Sequence, residues 1–382
     1  MNAQFEPIRT ASGTSALRAD VRAFLSERIG ELPPEIRAQS WSGWDDALSA
    51  DMGARGWIGM TWPTAFGGQA ASQLERYTVA EEMLAVGAPV AAHWIADRQS
   101  GALILKFGSD DLKRELVPRI ATGKLFFCIG MSEPNSGSDL ASLRTRAERV
   151  DGGWSVSGSK IWTTFADKSQ FMIALVRTAQ QDARSSRDGL SQLVVDLSSE
   201  GVTIRPIEDQ TGAAHFCEVF FDSVFVPDRM LLGEEGQGWA QVTAELALER
   251  SGPERFLSSH VLLESVCETL NEQPDDAMLA LLGEWAAELW VLRQMSLSVA
   301  SRLERGEAPM LEAAIVKDLG ARYEQSIARD LSGAFTASSF SDAGAGIEPV
   351  LTYLIASSPC FSLRGGTREI LRGIIARELG LR

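Results

Sequence analysis

The stretch CIGMSEPNSGSDL, residues 128–140, decides how this chain is read. An apolar lead-in containing Ile129 and Met131 runs into small and hydroxyl-bearing residues, Ser132, Asn135, Ser136, Gly137 and Ser138. Such a run lets backbone amides approach a ligand closely and offers several hydrogen bonds. Two readings stand on it alone: a turn joining two domains, or a cradle for a polar ligand. Further along, GSKIWTTFADKSQFMIALVRT (residues 158–178) places Trp162 before Thr163 and Thr164. An indole suits stacking on a flat heteroaromatic system, and a threonine hydroxyl or amide can bond a ring nitrogen. The same pattern also fits a core tryptophan beside a strand end.

On either side of this region the character of the chain changes. From about residue 14 to 125 apolar residues recur three and four apart, as in ALRADVRAFLSERI and QLERYTVAEEMLAV, which predicts helices. From 126 to 236 the segments are short, β-branched and aromatic: RTRAERVDGGWSVSG around a Gly-Gly turn, then FMIALV, SQLVVDL, GVTIRPI and CEVFFDSVFVP. Beyond Gly238 the helical period returns. Met278, Leu282, Trp285, Leu289, Leu292, Val299 and Leu303 fall on one stripe, interrupted by Ser296, as expected of bundle core. AQQDARSSRDG (179–189) and SFSDAGAGIEP (339–349) read as loops. The expectation is an α+β chain with domains at 1–125, 126–236 and 237–382, the last a helical bundle.

Composition narrows the function. The 382 residues carry a formal net charge of −15, which disfavours nucleic acid and anionic membrane as partners. A phosphate-bearing cofactor can still bind where helix N-termini and single arginines outweigh the mean field. No long apolar run or charged-then-apolar leader is found, so a cytoplasmic protein is expected. The four cysteines (128, 217, 267 and 360) are scattered and read as core thiols, with no zinc or disulfide pattern. Three histidines without metal spacing argue against a histidine triad or metal centre. GEEGQG is not a nicotinamide fingerprint.

Taken together, the 128–140 stretch and the Trp-Thr-Thr stretch resemble the flavin-binding signature of the acyl-CoA dehydrogenase family. The likeness continues through RGWIGMTWPTAFGG, LKFGSDDLKRELVPRIATGKLFFCIGMSEP, VFFDSVFVPDRMLLGEEGQGW and GGTREILRGIIARELG, in the family's order and spacing. The resemblance implies the acyl-CoA dehydrogenase fold: a helical N-terminal domain, a β-barrel-like middle domain and a C-terminal four-helix bundle. It further implies FAD, an acyl-CoA substrate dehydrogenated between its α and β carbons, an electron-transfer flavoprotein as acceptor, and a homo- or hetero-tetramer. Carried over by position, the cofactor-binding residues are Ile129, Met131, Ser132, Gly137, Ser138, Trp162, Thr163, Thr164, Thr367 and Glu369. The substrate residues are Ser138, Leu248, Arg250, Gly365 and Gly366.

The C-terminal motif departs from the family at its catalytic position. In SLRGGTREI (362–370), Gly365 stands where a glutamate usually removes the substrate proton. Glycine supplies no base, although its amide can still donate to a thioester oxygen. The isovaleryl-CoA and long-chain enzymes of the family carry the base on the first helix of the last domain, eleven residues after the glycine ending the G-x-G run. Counting from Gly238, that position is Glu249, in AELALERSGPERF. Pro253 lacks the N–H that would bond the Glu249 carbonyl, and with Gly252 beside it a kink is expected. Glu245 and Glu254 are the rival carboxylates. Arg250 matches an arginine that follows the base in the isovaleryl enzymes, and reads equally as a structural ion-pair partner or a substrate contact.

Two further family segments are missing. An Arg-x-x-Phe-Gly segment is replaced within VCETLNEQPDDAMLALLGEW (266–285), and a Gln-x-x-Gly-Gly-x-Gly-Tyr segment by DAGAGIEPVLTYL (342–354). Both contact FAD across a subunit boundary in the family. Their loss resembles the heteromeric steroid-type enzymes, in which two different chains share each FAD. The competing functions are therefore an active dehydrogenase, a flavin-deficient partner subunit of a heteromeric enzyme, and a flavin monooxygenase or nitroalkane-oxidase-like enzyme on the same fold.

Overall fold

The computed structural model describes residues 3–8, 14–179, 187–270, 275–334 and 347–381, without the side chains of 245–249. The greater part of both expected loops lies outside the described residues, as do the side chains of Glu245, Leu248 and Glu249. In chain order the helices are α1 (Ser15–Ile29), α2 (Pro34–Arg37), α3 (Asp46–Ala54), α4 (Gln73–Ala85), α5 (Ala91–Ile95), α6 (Gly101–Phe107) and α7 (Asp110–Ala121). Eight strands follow: β1 (Phe127–Gly130), β2 (Arg146–Val150), β3 (Gly153–Thr164), β4 (Phe171–Arg177), β5 (Leu190–Asp196), β6 (Val202–Ile207), β7 (Phe216–Pro227) and β8 (Leu231–Leu232). The chain then runs through α8 (Gly238–Glu249), α9 (His260–Thr269), α10 (Asp276–Glu304), α11 (Met310–Ala334), α12 (Ile347–Ser357) and α13 (Arg368–Glu378).

These elements form two compact units, each made of separated segments: residues 1–45, 71–91 and 249–382 in one, and 46–70 and 92–248 in the other. The helical stretch expected over 1–125 is thus shared between both. Local contacts explain the division. Gly53 on α3 lets the backbone of Thr122 come so close that an added Cβ would lie 2.3 Å away, and Ser49 donates to the Gly123 carbonyl at 3.0 Å. α4 is held in the other unit by charge: Glu81 accepts from Arg18 at 2.9 Å and from Arg293 at 2.6 Å, while Glu82 pairs with Arg18 and Arg22.

In the helical unit, Ser72 and Glu75 form a capping box that starts α4: Ser72 Oγ accepts from the Glu75 amide at 3.1 Å and Glu75 accepts from the Ser72 amide at 2.8 Å. The expected stripe is the seam of α10, with Met278, Trp285, Leu292 and Val299 buried. Val299 packs with Ala313 and Val316 of α11, and Leu297 and Ala300 pack with Tyr77 of α4. Ser296 interrupts the stripe and is also buried, where its hydroxyl donates to the Ser251 carbonyl. The turn after α4 depends on Gly87, whose φ of 73° is left-handed and whose added Cβ would stand 2.2 Å from the Arg37 carbonyl oxygen.

The second unit is built on a sheet of order β6-β7-β3-β2-β4-β5-β8, with β1 added parallel to β4 in the register Phe127↔Phe171 to Gly130↔Ala174. β4 and β5 are buried along nearly their whole length, which is why they read as unbroken apolar runs. The loop leaving β1 is anchored by Glu133, nine-tenths buried, which accepts from the Arg144 amide at 2.7 Å, the Thr145 amide at 2.8 Å and Lys160 Nζ at 2.8 Å. Lys160 is fully buried, and that burial lowers its pKa to about 8 against the pull of Glu133. Burial alone would raise the Glu133 pKa; the Lys160 charge and the hydrogen bonds from Lys160, Thr145 and Arg144 outweigh it and hold the carboxyl below the usual range.

Two expectations follow. Gly87→Ala is expected to cost about 2–4 kcal/mol by urea denaturation, from left-handed strain plus the backbone clash. A carboxyl whose folded pKa lies below its unfolded pKa stabilises the fold above the unfolded value and loses that contribution as pH falls through the folded value. Glu133→Gln is therefore expected to be less stable at neutral pH, while its urea midpoint falls less steeply than wild type as the pH drops below the ordinary value of 4.5.

Candidate active site

The sequence-selected residues fall into two groups, one in each unit. In the sheet-containing unit, half-buried Ile129 is the last but one residue of β1, and the chain leads on to Met131, which packs on a buried cluster of Leu143, Leu175, Leu190 and Val242. The carbonyl of Met131 accepts from Lys160 Nζ at 3.1 Å and that of Ser132 accepts from the Ile161 amide at 2.9 Å. Glu133 and Ser136 exchange backbone hydrogen bonds at 2.9 and 3.0 Å, which closes the loop on itself. Gly137 and Ser138 are exposed at its tip, and a side chain at Gly137 would meet nothing within 4 Å. A cavity of about 360 Å³ opens beside this loop, lined in part by Glu133, Asn135, Ser136, Arg144, Gly158 and Phe220.

Trp162 owes its position to a β-bulge. Between Lys160↔Val219 and Thr163↔Cys217 the β3 side has one residue more than the β7 side. A bulge bends the strand and re-aims its side chains. Here it puts Trp162 at φ 59°, a left-handed conformation that costs a non-glycine residue about 1–2 kcal/mol. The indole is 56% exposed and meets Phe216 edge to face at 5.9 Å. Phe216 in turn lies 4.1 Å from the His215 ring, and His215 Nδ1 stands 3.3 Å from Asp209. Burial lowers the His215 pKa, with Asp209 opposing it. Next to the indole in the chain, the Thr163 hydroxyl is buried without a hydrogen-bond partner, while Thr164 is half-buried. An indole held out in a strained conformation, on the same strand end as an unsatisfied hydroxyl, fits a flat heteroaromatic group with polar ring atoms such as FAD.

In the helical unit the decisive segment follows α8. Instead of kinking and continuing through Pro253, the helix ends at Glu249, and a short 3-10 turn over Pro253–Arg255 precedes α9. The reason lies in what the next residues bind. Arg250, only 3% exposed, donates from Nε to the Gly365 carbonyl at 3.3 Å, and the Ser251 carbonyl accepts from Ser296. These bonds draw the chain off the helical path. Gly365 and Gly366 take φ of 67° and 99°, and Thr367 then caps α13, its hydroxyl accepting from the Ile370 amide at 3.4 Å. Exposed Glu369 is held below the usual carboxylate range by its own backbone amide and by Thr367.

Sequence reasoning missed the group that makes this turn rigid. Arg364 donates to the Glu254 carbonyl at 3.2 Å, Ser258 at 2.8 Å and buried Glu324 at 3.2 Å, with its guanidinium 4.0 Å from the Trp41 ring centre. Lys317, fully buried, donates to the Phe361 carbonyl at 2.5 Å. The available signal was an arginine directly before Gly-Gly, with lysine and glutamate at the otherwise apolar 317 and 324 positions of α11. The rival carboxylate Glu254 is 5% exposed, beside Arg255. The reading of all four cysteines as core thiols is corrected: Cys128 and Cys217 are buried, Cys360 is half-buried and Cys267 is exposed.

Comparison with known proteins gives the likeness a name. Models of the acyl-CoA dehydrogenase N-terminal, middle and C-terminal domains match residues 13–124, 128–224 and 236–380. Acyl-CoA dehydrogenase FadE34 of Mycobacterium tuberculosis is 31% identical over 370 residues, covering 96% of this chain but 48% of FadE34, so the chain spans about half the length of that relative. Among solved structures, the Tcur3481-Tcur3483 steroid ACAD is 27% identical with a TM-score of 0.84, covering 98% of each chain. The ChsE4-ChsE5 complex from Mycobacterium tuberculosis is 28% identical with a TM-score of 0.84, covering 99% of this chain and 100% of that one. With all three domain models in chain order over a matching fold, the chain belongs to the acyl-CoA dehydrogenase family.

Proposed function

We propose that the chain is the base-bearing subunit of an FAD-dependent acyl-CoA dehydrogenase, with Glu249 removing the α-proton of the thioester. The observation that carries this reading is the bond from Arg250 to the Gly365 carbonyl. It ties the residue after Glu249 to the turn where the family usually places its glutamate. A carboxylate from the end of α8 can therefore serve the place that Gly365 leaves without one. The Gly365 amide remains a donor for the thioester oxygen as negative charge develops there.

FAD, when bound, supplies the acceptor for the β-hydride. By family position, Met131, Ser132, Gly137, Ser138, Trp162, Thr163, Thr164, Thr367 and Glu369 are the residues that would hold it. Arg250 then acts less as a substrate contact than as the residue that fixes the Gly365–Gly366 turn, with Leu248 and Ser138 as further substrate contacts. Abstraction of a weakly acidic α-proton needs a base removed from bulk water, and the buried surroundings of Arg250, Ser251 and Glu254 support such a site.

We further propose that the active assembly contains a second, different chain and passes electrons to an electron-transfer flavoprotein. Support comes from the missing Arg-x-x-Phe-Gly segment and from the two paired-chain structures that this chain resembles. Replacing Glu249 by Gln keeps the size of the side chain and removes the base. The Glu249→Gln protein is expected to retain its yellow flavin and to be bleached by an acyl-CoA, under anaerobic conditions, about 10³-fold more slowly than wild type. Bleaching at the wild-type rate would overturn the assignment. A protein that stays colourless with FAD and with candidate partner chains would replace it with the flavin-deficient reading.

A further inference from the structure

Two arginines cross in opposite directions between the chain that leaves α8 and the turn at Gly365. Arg250, directly after Glu249, donates to the Gly365 carbonyl at 3.3 Å. Arg364, directly before Gly365, reaches back to the Glu254 carbonyl at 3.2 Å and the Ser258 hydroxyl at 2.8 Å. The Gly365 N–H lies in the planar peptide between Arg364 and Gly365, so each arginine restrains one side of it. That N–H donates to no group among the described residues. It belongs to a turn of two glycines at φ of 67° and 99°, residues with no side chain of their own to limit the backbone.

The tail has other anchors for its fold. Before the turn, Lys317 donates to the Phe361 carbonyl at 2.5 Å and Gln325 to the Ser358 carbonyl at 3.0 Å. After it, Asp318 accepts from Arg368 at 2.8 Å and Thr367 caps α13. These contacts hold the tail to α11 and start its last helix; Arg364 adds the link to the segment following Glu249. Its guanidinium is confined by the rings of Trp41 and Phe361, whose centres lie at 4.0 and 4.6 Å. Fully buried Glu324 accepts from Arg364 at 3.2 Å and from the Ser258 amide at 2.8 Å, which ties the same segment in again. A planar guanidinium can serve several acceptors at once where an ammonium cannot.

We propose that Arg364 is a positioning residue for the dehydrogenation: with Arg250 it forms a reciprocal clasp that holds the Gly365 N–H, the donor to the thioester oxygen, in register with the segment that carries Glu249. The inference rests on the base assignment above and deepens it. A donor displaced by about 1 Å loses on the order of 10² in rate, so a glycine turn in this role needs an external restraint.

The test pairs two ligands that differ only at the carbonyl. For the acyl chain whose CoA ester bleaches the wild-type flavin, these are the 2-enoyl-CoA and the matching S-(2-alkenyl)-CoA thioether, in which CH2 replaces C=O. In the FAD-loaded assembly, Arg364→Lys keeps a cation for Glu324 but not the fork that also spans Glu254 and Ser258, and thermal melting checks its fold. Its affinity for the thioester, read from the shift in flavin absorbance, is expected to fall about 10-fold, with that for the thioether within about twofold of wild type. Its kcat is expected to fall about 10²-fold, against a rise of at most about 10-fold in KM. Equal loss of both ligands would overturn the proposal by making Arg364 a purely structural residue, and so would wild-type affinities and kcat. Should the lysine variant not fold, Ser258→Ala removes one acceptor of the same guanidinium and spares its pair with Glu324. That variant is expected to shift the thioester-to-thioether ratio about threefold in the same direction, and an unshifted ratio would overturn the proposal. Neither ligand gives up an α-proton, so the ratio does not depend on the base. An unshifted ratio therefore removes this inference alone, whereas wild-type bleaching by Glu249→Gln, or no acyl-CoA that bleaches wild type, removes the reading beneath it.

Discussion

A buried guanidinium at Arg250 ties the segment leaving α8 to the Gly365–Gly366 turn. Removing an arginine from water costs several kcal/mol unless its protons are bonded, so its contacts are confined to a narrow geometry. Its bond to the Gly365 carbonyl therefore fixes both the exit of α8 and the path of the Gly365–Gly366 turn. The left-handed φ of those two glycines is the conformational counterpart: a side chain at either would be strained.

The same logic governs the strand that carries Trp162. The bulge in β3 spends backbone strain to hold the Trp162 indole outward, and the loop after β1 is held against that strand by Lys160 and Glu133. A buried ion pair is seldom a net source of stability. Its use here is positional, since it orders the Met131 carbonyl while leaving Gly137 and Ser138 free at the loop tip. The anchoring groups Lys160 and Glu133 are buried and bonded to each other, whereas Gly137, Ser138 and Trp162 are exposed.

What could be read from the sequence was what depends on local pattern. β4 and β5 declared themselves as apolar runs, and the α10 stripe declared its seam, because burial of a whole face leaves a periodic trace. The positive φ at Trp162 left none, because it comes from the register between β3 and β7. Glu133 was passed over for a related reason: its partners lie 11, 12 and 27 residues away, and only the fold brings them together. At Glu249 the local signal was correct in kind but not in degree. Pro253 and Gly252 announced a disturbed helix; the bonds of Arg250 and Ser251 to Gly365 and Ser296 turned a kink into an end.

A crystal structure of the chain with its partner, FAD and a non-reactive acyl-CoA analogue tests the central claim most directly. The Glu249 carboxylate is expected within about 3 Å of the analogue's α carbon, with Arg250 still bonded to the Gly365 carbonyl. A different acid at that carbon, with Glu249 turned to solvent, would contradict it.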